Sequence, residues 1–134
     1  MTKGEGGCLC EAIRYEIEGE AAAAMVCHCT HCQKQSGSAF STILGVSEGQ
    51  VAISGEPVTY RDSGESGKSV ERLFCGTCGS PLFSKVEVAP GMLWVKAGTL
   101  DDARDFSPAV HIWTRSKQCW VETGAAPAFE TNPG

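Results

Sequence analysis

Seven of the eight cysteines fall into three tight groups, and this grouping restricts the fold more than any other feature of the chain. The groups are Cys8-Leu9-Cys10, Cys27-His28-Cys29-Thr30-His31-Cys32 and Cys75-Gly76-Thr77-Cys78. A turn that presents two sulfurs a few residues apart supplies two corners of a tetrahedral metal site from one backbone segment. Residues 1–7 are polar and glycine-rich and lack the apolar stretch of a signal peptide. The expected location is therefore the cytoplasm, where reduced cysteines serve metals or redox chemistry rather than structural disulfides.

The first and third groups together offer four sulfurs, Cys8, Cys10, Cys75 and Cys78, enough for one closed zinc site of four thiolates. Such a site would clip distant strands together and add its binding energy to folding, a structural role. Gly76 and Gly79 suit a knuckle in which backbone amides turn toward sulfur without a Cβ in the way. The alternative is two reduced, buried cysteine pairs without metal.

The middle group offers three sulfurs, Cys27, Cys29 and Cys32, and no obvious fourth thiolate. Three protein ligands and an exchangeable corner are the arrangement of catalytic zinc. In an extended segment His28 points away from its cysteine neighbours, and on a helical turn His31 diverges from Cys32 by about 100°. A tight turn can overrule either geometry, so a site closed by three cysteines and one histidine stays open as an alternative. Two zinc ions per chain are expected, the second labile because an open three-thiolate site can lose metal or oxidise. Cys119 reads as a small buried apolar residue, with a fourth ligand or a reactive thiol as alternatives.

The chain of 134 residues has the length of one domain, 1–134, with 42% hydrophobic and 20% charged residues. Its net charge of -5 offers no basic field for nucleic acid or anionic lipid, and no run approaches a membrane span. Residues 12–18 alternate as a half-buried strand does, and β-type runs recur at 40–46, 50–54, 58–61, 70–74, 82–86 and 92–97. Glycine and proline punctuate them, which predicts a mostly β fold. Residues 30–37 read as a helical turn or two closed by glycine. Residues 4–7 read as a loop, and 124–134 as a loosely ordered tail.

With those residues in view, the chain resembles the glutathione-dependent formaldehyde-activating enzyme family, also called the centromere-protein-V-type domain. The resemblance rests on Gly7-Cys8-Leu9-Cys10, on Cys27 to Cys32 followed by Ser36-Gly37-Ser38-Ala39-Phe40, and on Phe74-Cys75-Gly76-Thr77-Cys78-Gly79-Ser80-Pro81-Leu82. Val110-His111-Ile112-Trp113-Thr114 and Trp120 match its C-terminal signature. It implies a β-tent of packed antiparallel sheets with two zinc ions. Cys8, Cys10, Cys75 and Cys78 would hold the structural ion, and Cys27, Cys29 and Cys32 the catalytic one. Position 11 departs from the pattern, carrying Glu11 where glycine is frequent.

The implied activity is that of a carbon–sulfur lyase, run toward S-hydroxymethylglutathione from glutathione and formaldehyde. A small-molecule thiol, glutathione first, is thus the expected partner; pairing into a homodimer is left open. Candidate substrate contacts are His111, Ser38 and Lys34, although a histidine between Val110 and Ile112 also suits a structural hydrogen bond. Trp113 and Trp120 suit either a pocket wall or core packing. The rival reading is a non-catalytic, zinc-stabilised protein-interaction module.

Overall fold

A computed structural model describes residues 4–132. Among them ten strands and one α-helix follow in the order β1 (Gly4–Gly7), β2 (Arg14–Ile17), β3 (Ala23–Cys27), α1 (Thr30–Ser36), β4 (Ser41–Ser47), β5 (Val51–Ser54), β6 (Val58–Ser63), β7 (Ser69–Phe74), β8 (Pro81–Val86), β9 (Met92–Lys96) and β10 (Val110–Ile112). Strands β1, β2 and β5 form a small sheet, and a second sheet runs β10-β3-β4-β9-β8-β7-β6. The fold is mostly β, with packed sheets and one short helix, as expected. Strand pairing is antiparallel throughout except for β10 against β3, which run parallel.

Successive strand residues face opposite ways, and the large sheet uses the two faces for different ends. Leu44, Val46, Phe83, Leu93 and Val95 join Ile13, Tyr15 and Ile17 of the small-sheet side in one buried cluster. Val46, Phe83 and Val95 are fully buried, each worth about 1.5–3 kcal/mol relative to exposure. Tyr15 meets Phe83 edge-on with ring centroids 5.3 Å apart, joining the sheets. The intervening residues Met25, Ile43, Arg72, Ser84, Trp94 and Lys96 line a cavity of about 530 Å³ instead.

Two expectations change. Residues 4–7 are a strand, not a loop: an added Cβ at Gly6 would collide with the Thr99 carbonyl and the Tyr15 ring, so glycine permits close packing here. The stretch read as a loose tail is hydrogen-bonded along β10 as far as it is described. The His111 amide donates to Pro127 O at 2.9 Å, the Phe129 amide to His111 O at 2.9 Å, and the Trp113 amide to Thr131 O at 3.2 Å. Main-chain bonding to an open strand edge needs no apolar pattern, so sequence periodicity does not announce it. Residues 133–134 lie outside the described residues. Among the latter, no helix is long and apolar enough to cross a membrane.

Candidate metal centre

The sulfurs of Cys8, Cys10, Cys75 and Cys78 all lie within 4.8 Å of one another. Cys10 Sγ is 3.7 Å from Cys8 Sγ and 3.8 Å from Cys75 Sγ. Zinc–sulfur bonds of about 2.3 Å in a tetrahedron set the sulfurs about 3.8 Å apart, so these separations fit a zinc ion. Amides point at the sulfurs: Ile13 N to Cys8 at 3.3 Å, and Thr77 N and Cys78 N to Cys75 at 3.3 and 3.4 Å. The amides of Cys78 and Thr77 lower the Cys75 thiol, and Ser80 lowers Cys78 to about 5. Both effects favour the thiolate, the metal-binding form.

Gly79 closes the second knuckle with φ +83°, as a glycine can. The first turn requires the same of Glu11, whose φ is 68°. A left-handed side-chain residue there costs about 1–2 kcal/mol, which is the physical content of the departure at position 11.

The second cluster is built by the end of β3 and the start of α1. Cys27 ends the strand, Cys29 is the helix N-cap with its sulfur accepting from Cys32 N at 3.3 Å, and Cys32 lies on the first turn. Gly37 closes the helix in the left-handed conformation. The three sulfurs lie within 4.8 Å of one another, Cys27 and Cys32 at 3.4 Å. Both clusters could hold a metal ion, and their all-sulfur donors suit zinc.

Neither nearby histidine belongs to that set of ligand atoms. His28 is fully buried, and its Nε2 is 2.9 Å from His111 Nδ1. His28 Nδ1 is buried without a partner. One imidazole donates and the other accepts in that contact, as their tautomers set. His31 Nδ1 instead bonds Asp62 at 2.9 Å.

The cavity brings Cys27, Cys29 and Cys32 together with Arg72, Lys96 and Trp113. Arg72 and Lys96 are only 4% and 6% exposed. Arg72 Nη1 is 4.0 Å from Cys32 Sγ, and its Nε donates to Asp62 Oδ2 at 2.9 Å. Burial would raise Asp62, but hydrogen bonds from His31 and Arg72 hold it below its ordinary value. Lys96 Nζ donates to Ser41 Oγ at 2.6 Å. Burial lowers its pKa, opposed by the charge of the Cys32 sulfur, with Arg72 lowering it further and the Cys27 and Cys29 sulfurs raising it. Cys32 in turn is lowered by hydrogen bonding with Cys27 and Cys29, against burial, with further help from Lys96 and Arg72.

Trp113 forms part of the cavity wall in a left-handed backbone conformation (φ 59°), its Nε1 donating to Asn132 at 2.9 Å. Glu65 reaches from the β6–β7 turn to Thr30 N at 2.7 Å and Ser116 Oγ at 2.9 Å. This draws the turn over helix α1 at the cavity rim.

Of the candidate substrate contacts, none lies on the cavity lining. His111 is buried against His28, while Lys34 and Ser38 are exposed on and after α1. Trp120 is 70% exposed, and Cys119, expected as a buried apolar residue, is exposed as well. It follows a short 3-10 turn rather than a strand, so no sheet face covers it. Arg72, Lys96 and Asp62 escaped the sequence reading. For Lys96 a signal existed: it closes the otherwise apolar run Met92-Leu93-Trp94-Val95 of β9, and a run of that kind marks burial on both faces.

Comparison with known proteins bears on the fold and the family. A crystal structure of a Rhodobacter sphaeroides protein superposes with a TM-score of 0.60 at 17% identity, covering 92% of this chain and 98% of that one. A Schizosaccharomyces pombe protein described as an uncharacterized lyase is 30% identical over 83 residues, or 62% of this chain. That match spans 58% of the yeast protein's length. The family model described as glutathione-dependent formaldehyde-activating enzyme matches residues 3–116. With both cysteine clusters inside that span, the chain belongs to the glutathione-dependent formaldehyde-activating enzyme family.

Proposed function

We propose that this protein is a zinc-dependent enzyme of carbon–sulfur lyase type that acts on thiol adducts, joining glutathione and formaldehyde as S-hydroxymethylglutathione. The observation that carries the reading is the set of three sulfurs, Cys27, Cys29 and Cys32, opening onto the cavity without a fourth protein ligand in their set among the described residues. Three cysteine ligands leave one corner of a tetrahedral zinc site to a molecule from solution. Zinc bound there would supply the means to hold an incoming thiol as its thiolate at neutral pH.

The chain's own residues supply the rest. Met25, Ile43, Trp94 and Ile112 give the cavity apolar walls, where charges interact more strongly than in water. The buried cations Arg72 and Lys96 favour negative charge beside Cys32. The family membership and the lyase description of the yeast relative support the class of reaction. A reducing compartment such as the cytoplasm would keep the three thiols from oxidising.

Exchange-spectroscopy NMR on glutathione and formaldehyde tests this directly, with zinc-loaded protein and Cys29→Ser as control. Faster exchange with the wild type alone supports the assignment. Equal rates would remove these substrates and return the protein to the interaction-module reading.

A further inference from the structure

Two basic side chains, Arg72 and Lys96, are buried beside a cluster of sulfurs, where a charge is costly unless a partner meets it. Arg72 is fixed along one edge: its Nε donates to Asp62, and Asp62 is held in turn by His31 Nδ1. This leaves Nη1 directed at the sulfur cluster, 4.0 Å from Cys32 Sγ. Lys96 reaches the same cavity from β9, and Ser41 takes one of the three donors that a lysine ammonium carries. Arg72 pairs with Ser84 and Ser84 with Trp94 across three neighbouring strands, and Lys96 stands two residues beyond on the same face. The cations are therefore set on rigid sheet rather than on loops.

We propose that Arg72, backed by Lys96, binds the oxygen of the aldehyde and takes up the negative charge that arrives there as the carbon–sulfur bond forms. The proposal rests on the thiol–aldehyde reading above. In the addition, the thiolate lone pair forms the bond to the carbonyl carbon and the C=O π pair moves onto oxygen. The alkoxide then takes a proton from water, which regains the one the thiol gave up, and nothing is oxidised or reduced. In the lyase direction the hydroxyl loses its proton and the carbon–sulfur bond breaks.

Position decides between the aldehyde oxygen and the other anionic groups of a peptide thiol. The adduct oxygen is two bonds from sulfur, whereas the carboxylates of glutathione lie several bonds farther out. A guanidinium 4.0 Å from a ligand sulfur is placed for the first. Donors fixed in advance at the site of developing charge contribute to rate more than to ground-state binding.

The test uses zinc-loaded wild type, Arg72→Gln, Arg72→Lys and Lys96→Met, with two readouts. The first is exchange between formaldehyde and its glutathione adduct. The second is glutathione affinity of the cobalt-substituted proteins, read from sulfur-to-cobalt charge-transfer absorbance without turnover. Exchange should fall about 100-fold in Arg72→Gln and recover in part in Arg72→Lys. Glutathione affinity should change by less than about 3-fold, the signature of an interaction made only in the transition state.

Affinity falling as far as the rate would overturn the proposal and assign the cations to the carboxylates of the thiol. If Arg72→Gln fails to bind cobalt, Lys96→Met decides, and unchanged exchange there overturns the proposal. Active wild type with equally active variants refutes it alone. A wild type that does not accelerate exchange ends the thiol–aldehyde reading and this inference with it.

Discussion

His28 Nε2 lies 2.9 Å from His111 Nδ1, with the two rings within 24° of parallel. The contact joins β3 to its parallel neighbour β10, where Ile112 is in register with Cys27. His28 sits between two cluster cysteines, so the pair ties that segment to β10. Both imidazoles are lowered by burial, His28 to about 4, with the charge of His111 as the next cause.

The pH dependence of stability follows. Between the ordinary histidine value near 6.5 and the folded value near 4, the unfolded chain binds a proton that the folded chain refuses, so stability falls as pH falls through that window. The expected slope from His28 is about 1 kcal/mol per pH unit. Urea unfolding of wild type and His28→Gln from about pH 7 to about pH 4.5 measures it. Protonation of the thiolates adds the same slope to both, so identical slopes would remove His28 as the source.

Glu11→Gly should stabilise the protein by about 1 kcal/mol, since φ 68° is strained for glutamate and free for glycine. Chemical denaturation reads the gain. A loss of stability would mean that the glutamate side chain repays its backbone strain.

The two clusters should separate in their response to metal removal. Cys78→Ser should leave one zinc per chain by elemental analysis and lower Tm sharply, because the first site joins segments 65 residues apart at Cys10 and Cys75. Cys32→Ser should lose the other zinc with a smaller change in Tm. The reverse order of Tm effects would exchange the structural and catalytic assignments.

Gly45→Ala should destabilise by about 1–3 kcal/mol. The Trp94 ring lies across Gly45, and an added Cβ would stand 2.5 Å from its Cζ3. Tryptophan fluorescence should shift as that ring moves from the cavity floor. An unshifted spectrum with wild-type stability would show that the ring can move aside at no cost.

The metal clusters were legible in the sequence because their sulfurs come in short local groups: Cys27, Cys29 and Cys32 span one strand end and one helical turn, and the other cluster is two such pairs brought together by the fold. Strands β4, β6, β7, β8 and β9 of the large sheet were legible as β-type runs with glycine and proline punctuation, whereas β3 and β10 fell outside the expected runs. Arg72 and Asp62 were not, because a polar residue in an alternating strand reads as the solvent side, and only the assembled sheet shows a covered cavity there. His111 drew attention as a substrate contact, yet its partner is His28, 83 positions away. The edge pairing of Pro127 and Phe129 with His111 is made by backbone alone, which leaves no side-chain trace.

The division of the seven-stranded sheet by residue parity has an evolutionary consequence. Leu93 and Val95 hold the two sheets together, while Trp94 and Lys96, interleaved with them on β9, meet whatever enters the cavity. Drift at the second set can explore new ligands while the first set keeps the scaffold intact. Descendants of such a chain can therefore part company in chemistry long before they part company in shape.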